Sequence, residues 1–115
     1  MNEAALIALV RKAIGLHKTT GCLEYFDLEL QKRIRRELGN IGTPDSIKRL
    51  LVNHSTGGGK IDFKVEDREE RQDRREFWFR ALVPVAAHAR PLFYELELLD
   101  DDPDVPAVVI LNVHP

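Results

Sequence analysis

The spacing of apolar residues changes once along this chain, and that change constrains the fold more than any other feature. Up to about residue 54 the apolar residues recur every three or four positions, which is the period of a helix. At residues 61–66 and again at 92–99 they alternate with polar residues, which is the period of a strand. Helices followed by strands joined by short turns indicate an α+β domain. We therefore predict N-terminal helices packed on one face of a four-stranded antiparallel sheet.

Three helices are predicted in the first half of the chain. Residues 3–16 and 24–38 each carry an apolar stripe at helical spacing. The third helix has a clear start, because Thr43 can cap its first turn and Pro44 fits the first helical position. Its pattern ends near His54.

Four strands are predicted in the second half, at residues 61–66, 76–85, 92–99 and 107–114. The charged stretch 67–75 is then a long, solvated hairpin connection. Residues 107–114 are almost continuously apolar, which favours an interior strand covered on both faces. The 115 residues are thus predicted to form a single domain, with residues 1–55 helical and residues 60–115 in the sheet.

Composition narrows the classes of protein to consider. No apolar run approaches the roughly 20 residues that a membrane span needs, and the N-terminal segment lacks the pattern of a signal peptide. The single cysteine, Cys22, excludes an internal disulfide framework and is interpreted as a small buried thiol. The four histidines share no metal-ligand spacing. We expect a cytoplasmic protein with no membrane partner, no metal and no cofactor.

Charge is unevenly distributed along the chain. Residues 1–60 carry ten Lys and Arg against six Asp and Glu, whereas residues 91–115 carry six acids and no Lys or Arg. A basic helical half and an acidic C-terminal end can steer a polyanion to one side of the molecule.

The segment H-S-T-G-G-G-K, residues 54–60, contains the glycines and lysine of a phosphate loop but in the wrong context. A phosphate loop follows a strand, opens a helix and has Ser or Thr after the lysine, whereas Ile61 follows Lys60 here. We interpret Gly57 as a left-handed helix cap and the next two glycines as the reversal into the first strand. The alternative is that exposed amides and Lys60 face a phosphodiester.

Several polar residues are singled out by their positions in the predicted strands. Lys60 starts the first strand, and Lys64 and Glu66 lie on its polar side. Arg80 interrupts the apolar second strand, so it needs a buried acid or points into a functional cleft. His114 ends the last strand and suits proton transfer near neutral pH.

The element order, the segment 54–60 between helix and sheet, and the closing V-V-I-L-N-V-H-P at 108–115 resemble one family. These features are similar to the small metal-independent ribonuclease toxins of the barnase, colicin and RelE-like superfamily. The resemblance implies a bacterial, toxin-like endoribonuclease that cleaves RNA through attack by the ribose 2′-hydroxyl. The implied catalytic residues are His114, Glu66 and Arg80. The implied RNA contacts are Lys60, Lys64 and His54, with Trp78 or Tyr94 stacking on a base.

Two other interpretations remain open. Such toxins are usually basic, whereas this chain has a net charge of −2. The alternative function is a non-catalytic protein-interaction module of a regulatory or immunity type, which binds its partner through the acidic residues 95–104 or the charged residues 66–76. A homodimer formed through a free sheet edge is compatible with either function. Convergence of Lys60, Lys64, Arg80 and His114 on one surface would favour the nuclease.

Overall fold

A computed structural model describes residues 2–20, 23–25, 28–72, 75–86 and 88–115. Its helices are α1 (Glu3–Thr20), α2 (Leu28–Leu38), α3 (Pro44–Thr56) and the short α4 (Glu69–Gln72). Its strands are β1 (Leu23–Tyr25), β2 (Ile61–Val65), β3 (Phe77–Val83), β4 (Leu92–Asp100) and β5 (Ala107–His114). A 3₁₀ turn, Gly39–Gly42, joins α2 to α3. None of these helices is both long and apolar enough to cross a membrane.

The five strands form one sheet in the order β1-β5-β4-β3-β2. Strands β2 to β5 are an antiparallel meander, as predicted, and the α+β class is confirmed. Strand β5 lies between β1 and β4, in agreement with its nearly continuous apolar sequence. Strand β2 is the outermost strand at the other side.

Strand β1 was missed by the sequence analysis. Leu23–Tyr25 pair in parallel with Val108–Ile110, so the prediction of a helix beginning at residue 24 was wrong. Three residues are too few to show a period, and their partner strand lies at the far end of the chain. Helix α1 also extends beyond its predicted end, continuing through Gly15 to Thr20. Cys22, predicted to be a buried thiol, and Phe26, placed in the apolar stripe of the second helix, lie outside the described residues.

The core lies between one face of the sheet and helices α1, α2 and α3. The helices contribute Val10, Ile14, Ile34, Ile47 and Leu51, and the sheet contributes Phe79, Tyr94, Leu96, Val108 and Ile110. The Tyr94 hydroxyl donates a hydrogen bond of 2.9 Å to the carbonyl oxygen of Ile47, which fastens α3 to the sheet. Tyr94 is fully buried in this core, so the prediction that it stacks on a base was wrong.

The glycine run forms the hinge between α3 and β2. Gly58, with a φ of 81°, is the left-handed residue, whereas Gly57 has a φ of −78°, so the assignment of the left-handed cap to Gly57 was wrong. Gly59 leaves room for the imidazole of His54, because a Cβ on Gly59 would lie 2.3 Å from that ring. The Nε2 atom of His54 lies 3.0 Å from the carbonyl oxygen of Lys60 and ties the helix end to the strand. Arg11 of α1 donates a further hydrogen bond of 2.6 Å to the Gly59 carbonyl.

Candidate functional site on the outer sheet face

Side chains alternate between the two faces of the sheet, and the face opposite helices α1, α2 and α3 collects most of the predicted site residues. We call this the outer face. It is defined by three cross-strand pairs, which are Lys64–Trp78, Arg80–Glu95 and Phe93–His114. Each pair places its two side chains on the same side of neighbouring strands.

A buried ion cluster occupies one end of the outer face. The fully buried carboxylate of Glu66 accepts hydrogen bonds of 2.8 Å from Nε of Arg68 and 2.7 Å from Nε of Arg75. The same two arginines reach Glu95, at 3.3 Å and 2.7 Å respectively. Two carboxylates and two guanidinium groups therefore neutralise one another, which is the condition for charges to be stable away from water.

The ion cluster changes the acidity of its carboxyl groups. The hydrogen bond from Arg68, strengthened by that from Arg75 and opposed by burial, lowers the pKa of Glu66 to about 2. Burial alone would raise the pKa of Glu95, but the hydrogen bonds from Arg75 and Arg68 outweigh it, and the net shift is downward. The bond to Glu66 raises the pKa of Arg68 in turn. Glu66, Glu95 and Arg68 are therefore charged at neutral pH.

An aromatic row extends from this cluster across the outer face. The guanidinium carbons of Arg68 and Arg75 lie 5.5 and 5.8 Å from the ring centre of Trp78. The Trp78 ring is 6.1 Å from Phe93, and Phe93 stacks on His114 at 4.7 Å with an interplanar angle of 16°. All three rings are partly exposed. The surface therefore presents partly exposed rings beside cations.

Two donors, one in the ion cluster and one in the aromatic row, have no acceptor among the residues that the structure describes. They are Nη1 of Arg75 and Nε1 of Trp78, and both atoms are buried. The Arg75 side chain is only 7% exposed. A buried N–H without an acceptor is costly, so an acceptor oxygen from water or from a ligand would be stabilised here.

Arg80, which was predicted to need an acid because it interrupts an apolar strand, forms an ion pair with Asp62. Its guanidinium contacts the carboxylate of Asp62 at 3.0 Å, directly across from it on β2, and Lys60 contacts the same carboxylate at 3.3 Å. Burial would raise the pKa of Asp62, but the hydrogen bonds from Arg80 and Lys60 lower it overall.

The predicted site residues are thus partly brought together. Lys64, Glu66, Trp78, Arg80 and His114 lie on the outer face. Lys60 is exposed where β2 begins, and His54 belongs to the hinge described above. Within the described ranges, no three His, Cys, Asp or Glu side chains lie close enough to hold a metal ion.

Sequence reasoning missed Arg68, Arg75, Phe93 and Glu95 as members of the site. It interpreted residues 67–75 as a solvated hairpin connection, although Arg68 and Arg75 bind Glu95, which lies 27 and 20 positions away. The available signal was Glu95 itself, which alternates on the same side of its strand as Phe93. Asp73 and Arg74, which belong to this predicted connection, lie outside the described residues.

Comparisons with known protein families, with curated proteins and with solved structures found no match to this chain. The function is therefore inferred from the outer face alone.

Proposed function

We propose that the outer face binds single-stranded RNA. The observation that supports this proposal is the row Trp78–Phe93–His114, which presents partly exposed rings next to the arginines of the ion cluster. Unpaired bases stack on aromatic side chains and on guanidinium planes, and such stacking is worth about 1–3 kcal/mol per base. The flat surface of a sheet can accept several successive bases.

The charges of the outer face suit a weakly held phosphate backbone. Arg68, Arg75, Arg80 and Lys64 carry four positive charges, which are balanced by four negative charges on Glu66, Glu95, Glu97 and Asp62. Since these charges cancel, most of the affinity should come from stacking. Engagement of one or two phosphates would give a slope of log affinity against log salt of roughly −0.7 to −1.4.

Cleavage of the bound RNA is the second half of the proposal, and it assigns proton transfer to His114. Its Nδ1 atom lies 3.1 Å from the carbonyl oxygen of Pro115, which leaves Nε2 to receive a proton from a ribose 2′-hydroxyl. The 2′-oxygen then bonds to the adjacent phosphorus, the bond from phosphorus to the 5′-oxygen breaks, and the leaving 5′-oxygen takes a proton from water. We assign the phosphate to Arg80, which would exchange its contact with Asp62 for one with the phosphate. Glu66 is poorly suited to this step, because a group with a pKa of about 2 holds no proton at neutral pH and is a weak base.

Trp78 is the only tryptophan, so its fluorescence reports on the outer face directly. Titration with a single-stranded RNA of about eight nucleotides should change this emission in a saturable way. Phe93→Leu should weaken binding by tenfold or more, because it removes the central ring of the row. Phe77→Leu is the matched control, since Phe77 lies one residue before Trp78 but on the helix-covered face, where it contacts Phe79. Unchanged emission, or equal losses in the two variants, would contradict RNA binding at this face.

Cleavage needs its own assay. RNA incubated with the protein in EDTA should yield 2′,3′-cyclic ends, and His114→Ala should abolish this product. Binding without cleavage would restrict the function to RNA binding.

A protein-interaction module is the second candidate function, and Leu82 favours it. Leu82 is 41% exposed and lies across from Phe93 on the outer face, which gives that end of the face an apolar character. Absence of any RNA-dependent change in Trp78 emission would favour this candidate.

A further inference from the structure

We infer that two copies of this chain associate through their β2 strands, which pair antiparallel about a twofold axis at Phe63. This inference concerns the edge of the sheet and does not depend on what the outer face binds. It commits to one occupant of that edge, a second copy of the same strand, for three reasons that concern the backbone, the charges and the apolar surface.

The backbone of β2 leaves three residues without hydrogen-bonded partners at the free edge of the sheet. The amide of Glu66 donates to the carbonyl oxygen of Glu76 at 2.9 Å, which continues the β2–β3 register by one residue. In an antiparallel ladder every second residue is hydrogen-bonded to the same neighbour, so Asp62 and Lys64 bond inward to β3. The N–H and C=O groups of residues 61, 63 and 65 therefore point away from the sheet. No partner strand lies beside them in the described part of the chain.

This pattern selects one symmetric register. Because Phe63 is both the centre of β2 and an outward-pointing residue, a twofold axis there pairs Phe63 with its copy and Ile61 with Val65 of the second copy. All three outward residues of each strand then form hydrogen-bonded pairs. Any shift by one residue would place inward-pointing groups at the interface.

Charge complementarity supports the same register. It places Asp62 directly opposite Lys64 of the second copy, and the twofold axis repeats the pair. Opposite charges that face each other on neighbouring strands are stabilising, and like charges are destabilising. Among the described residues, the ion pairs of β2 involve Asp62 with Lys60 and Arg80, and none involves Lys64.

The apolar surface of the edge is also complementary to itself. Val65 is 68% exposed, whereas Ile61, at the other end of the strand, is buried beside the hinge. The twofold axis places the end of each strand that holds the buried Ile61 opposite the end of the other strand that holds the exposed Val65. The exposed Val65 is thereby covered in both copies. Since only five residues pair on each side, we expect a reversible dimer with a dissociation constant in the micromolar range.

Sedimentation velocity over a range of protein concentrations tests the dimer without RNA. The wild type should shift from monomer to dimer, and Val65→Lys and Lys64→Glu should each raise the dissociation constant about tenfold or more. Leu28→Lys is the control, because Leu28 is a similarly exposed apolar residue, 63%, on α2. Circular dichroism confirms that each variant is folded. A wild type that stays monomeric up to millimolar concentration, or a dimer that only Leu28→Lys weakens, overturns the inference.

Cross-linking tests the register itself. A mixture of ¹⁴N- and ¹⁵N-labelled protein, treated with a zero-length carbodiimide reagent, should give mixed-isotope peptides that join Lys64 to Asp62. The pair Lys60–Asp62, 3.3 Å apart within one chain, should give same-isotope links and serves as the internal control. Mixed-isotope links between other residues, with none between Lys64 and Asp62, would refute this register.

Discussion

Glu66 shows how a residue selected as a catalytic acid or base can instead belong to a buried ion cluster. Its carboxylate is fully enclosed and bound by two arginines, so its charge stabilises the connection between β2 and β3. Removal of one member of such a cluster leaves the remaining charges buried without a partner, which is more costly than loss of a surface ion pair.

Glu66→Gln should therefore lower the free energy of unfolding at pH 7 by about 3 kcal/mol. Glu76→Gln is the matched control, because Glu76 is exposed at the other end of the same connection and should change stability by less than about 0.5 kcal/mol. Urea unfolding of the two variants measures both values. Equal effects would show that the cluster contributes no more than surface charges.

The stability of the wild type should also depend on pH through Glu66. Its pKa of about 2 in the folded protein lies below its ordinary value of 4.5, so the folded state binds this proton less readily than the unfolded state. The contribution of Glu66 is complete above pH 4.5 and is lost as the pH falls toward 2. Urea unfolding between pH 5 and pH 2 should show this decline, and Glu66→Gln should show a shallower one. The same slope in both proteins would contradict the role of Glu66.

At the scale of elements, the hinge from α3 to β2 depends on its glycines for a structural reason. The His54 ring occupies the space where a Gly59 side chain would lie, and Arg11 holds the Gly59 carbonyl. These contacts fix the direction in which β2 leaves the helix. They leave the glycine run without the geometry of a phosphate loop.

Gly59→Ala should displace the His54 ring and break its contact with Lys60, which should destabilise the protein by about 1–2 kcal/mol. Gly15→Ala should do the opposite. Gly15 lies inside α1, and no atom would lie within 4 Å of the new Cβ, so the higher helix propensity of alanine should stabilise by up to about 1 kcal/mol. Thermal unfolding of both variants measures the two shifts. A stabilised Gly59→Ala would mean that the His54 contact is dispensable.

At the scale of the whole molecule, the helices and the sheet share one core. Side chains of α1, α2 and α3 pack directly on β3, β4 and β5, and most of the buried apolar residues that the structure describes belong to one cluster. The prediction that residues 1–115 behave as a single domain therefore has a direct test.

The helical circular dichroism signal and Trp78 fluorescence should change together in a urea titration. The first reports on α1, α2 and α3, and the second reports on β3, so coincident curves indicate one cooperative unit. Two separate transitions would show that the helical part and the sheet unfold independently.

Local signals predicted much of the fold. The cap formed by Thr43 is present, since its hydroxyl oxygen accepts a hydrogen bond from the Ser46 amide. Strands β2 and β4 were found because alternation needs only a few residues to be recognised, and β3 and β5 were found as short apolar runs between turns. Strand β1 was not found, because three residues carry no period. Its pairing with β5 depends on a contact between distant parts of the chain.

The residues of the candidate site also divide into those that the sequence identified and those that only the tertiary structure revealed. Lys64, Trp78, Arg80 and His114 could be selected from the sequence because each stands out within its strand. Their meeting on one face with Arg68, Arg75, Phe93 and Glu95 could not, because it depends on which strands are neighbours and on how residues 66–76 fold back over the sheet.

The sequence by itself determined the order of the elements, the cap of α3 and the polar or apolar character of each strand position, because these depend on residues a few positions apart. Only the tertiary structure decided which carboxylate each arginine binds, which face the rings share and that β2 is an outer strand of the sheet. These are contacts between residues far apart in the chain. Their partners are selected by packing and charge as the chain folds, and the local periodicity of the sequence does not indicate which residues will meet.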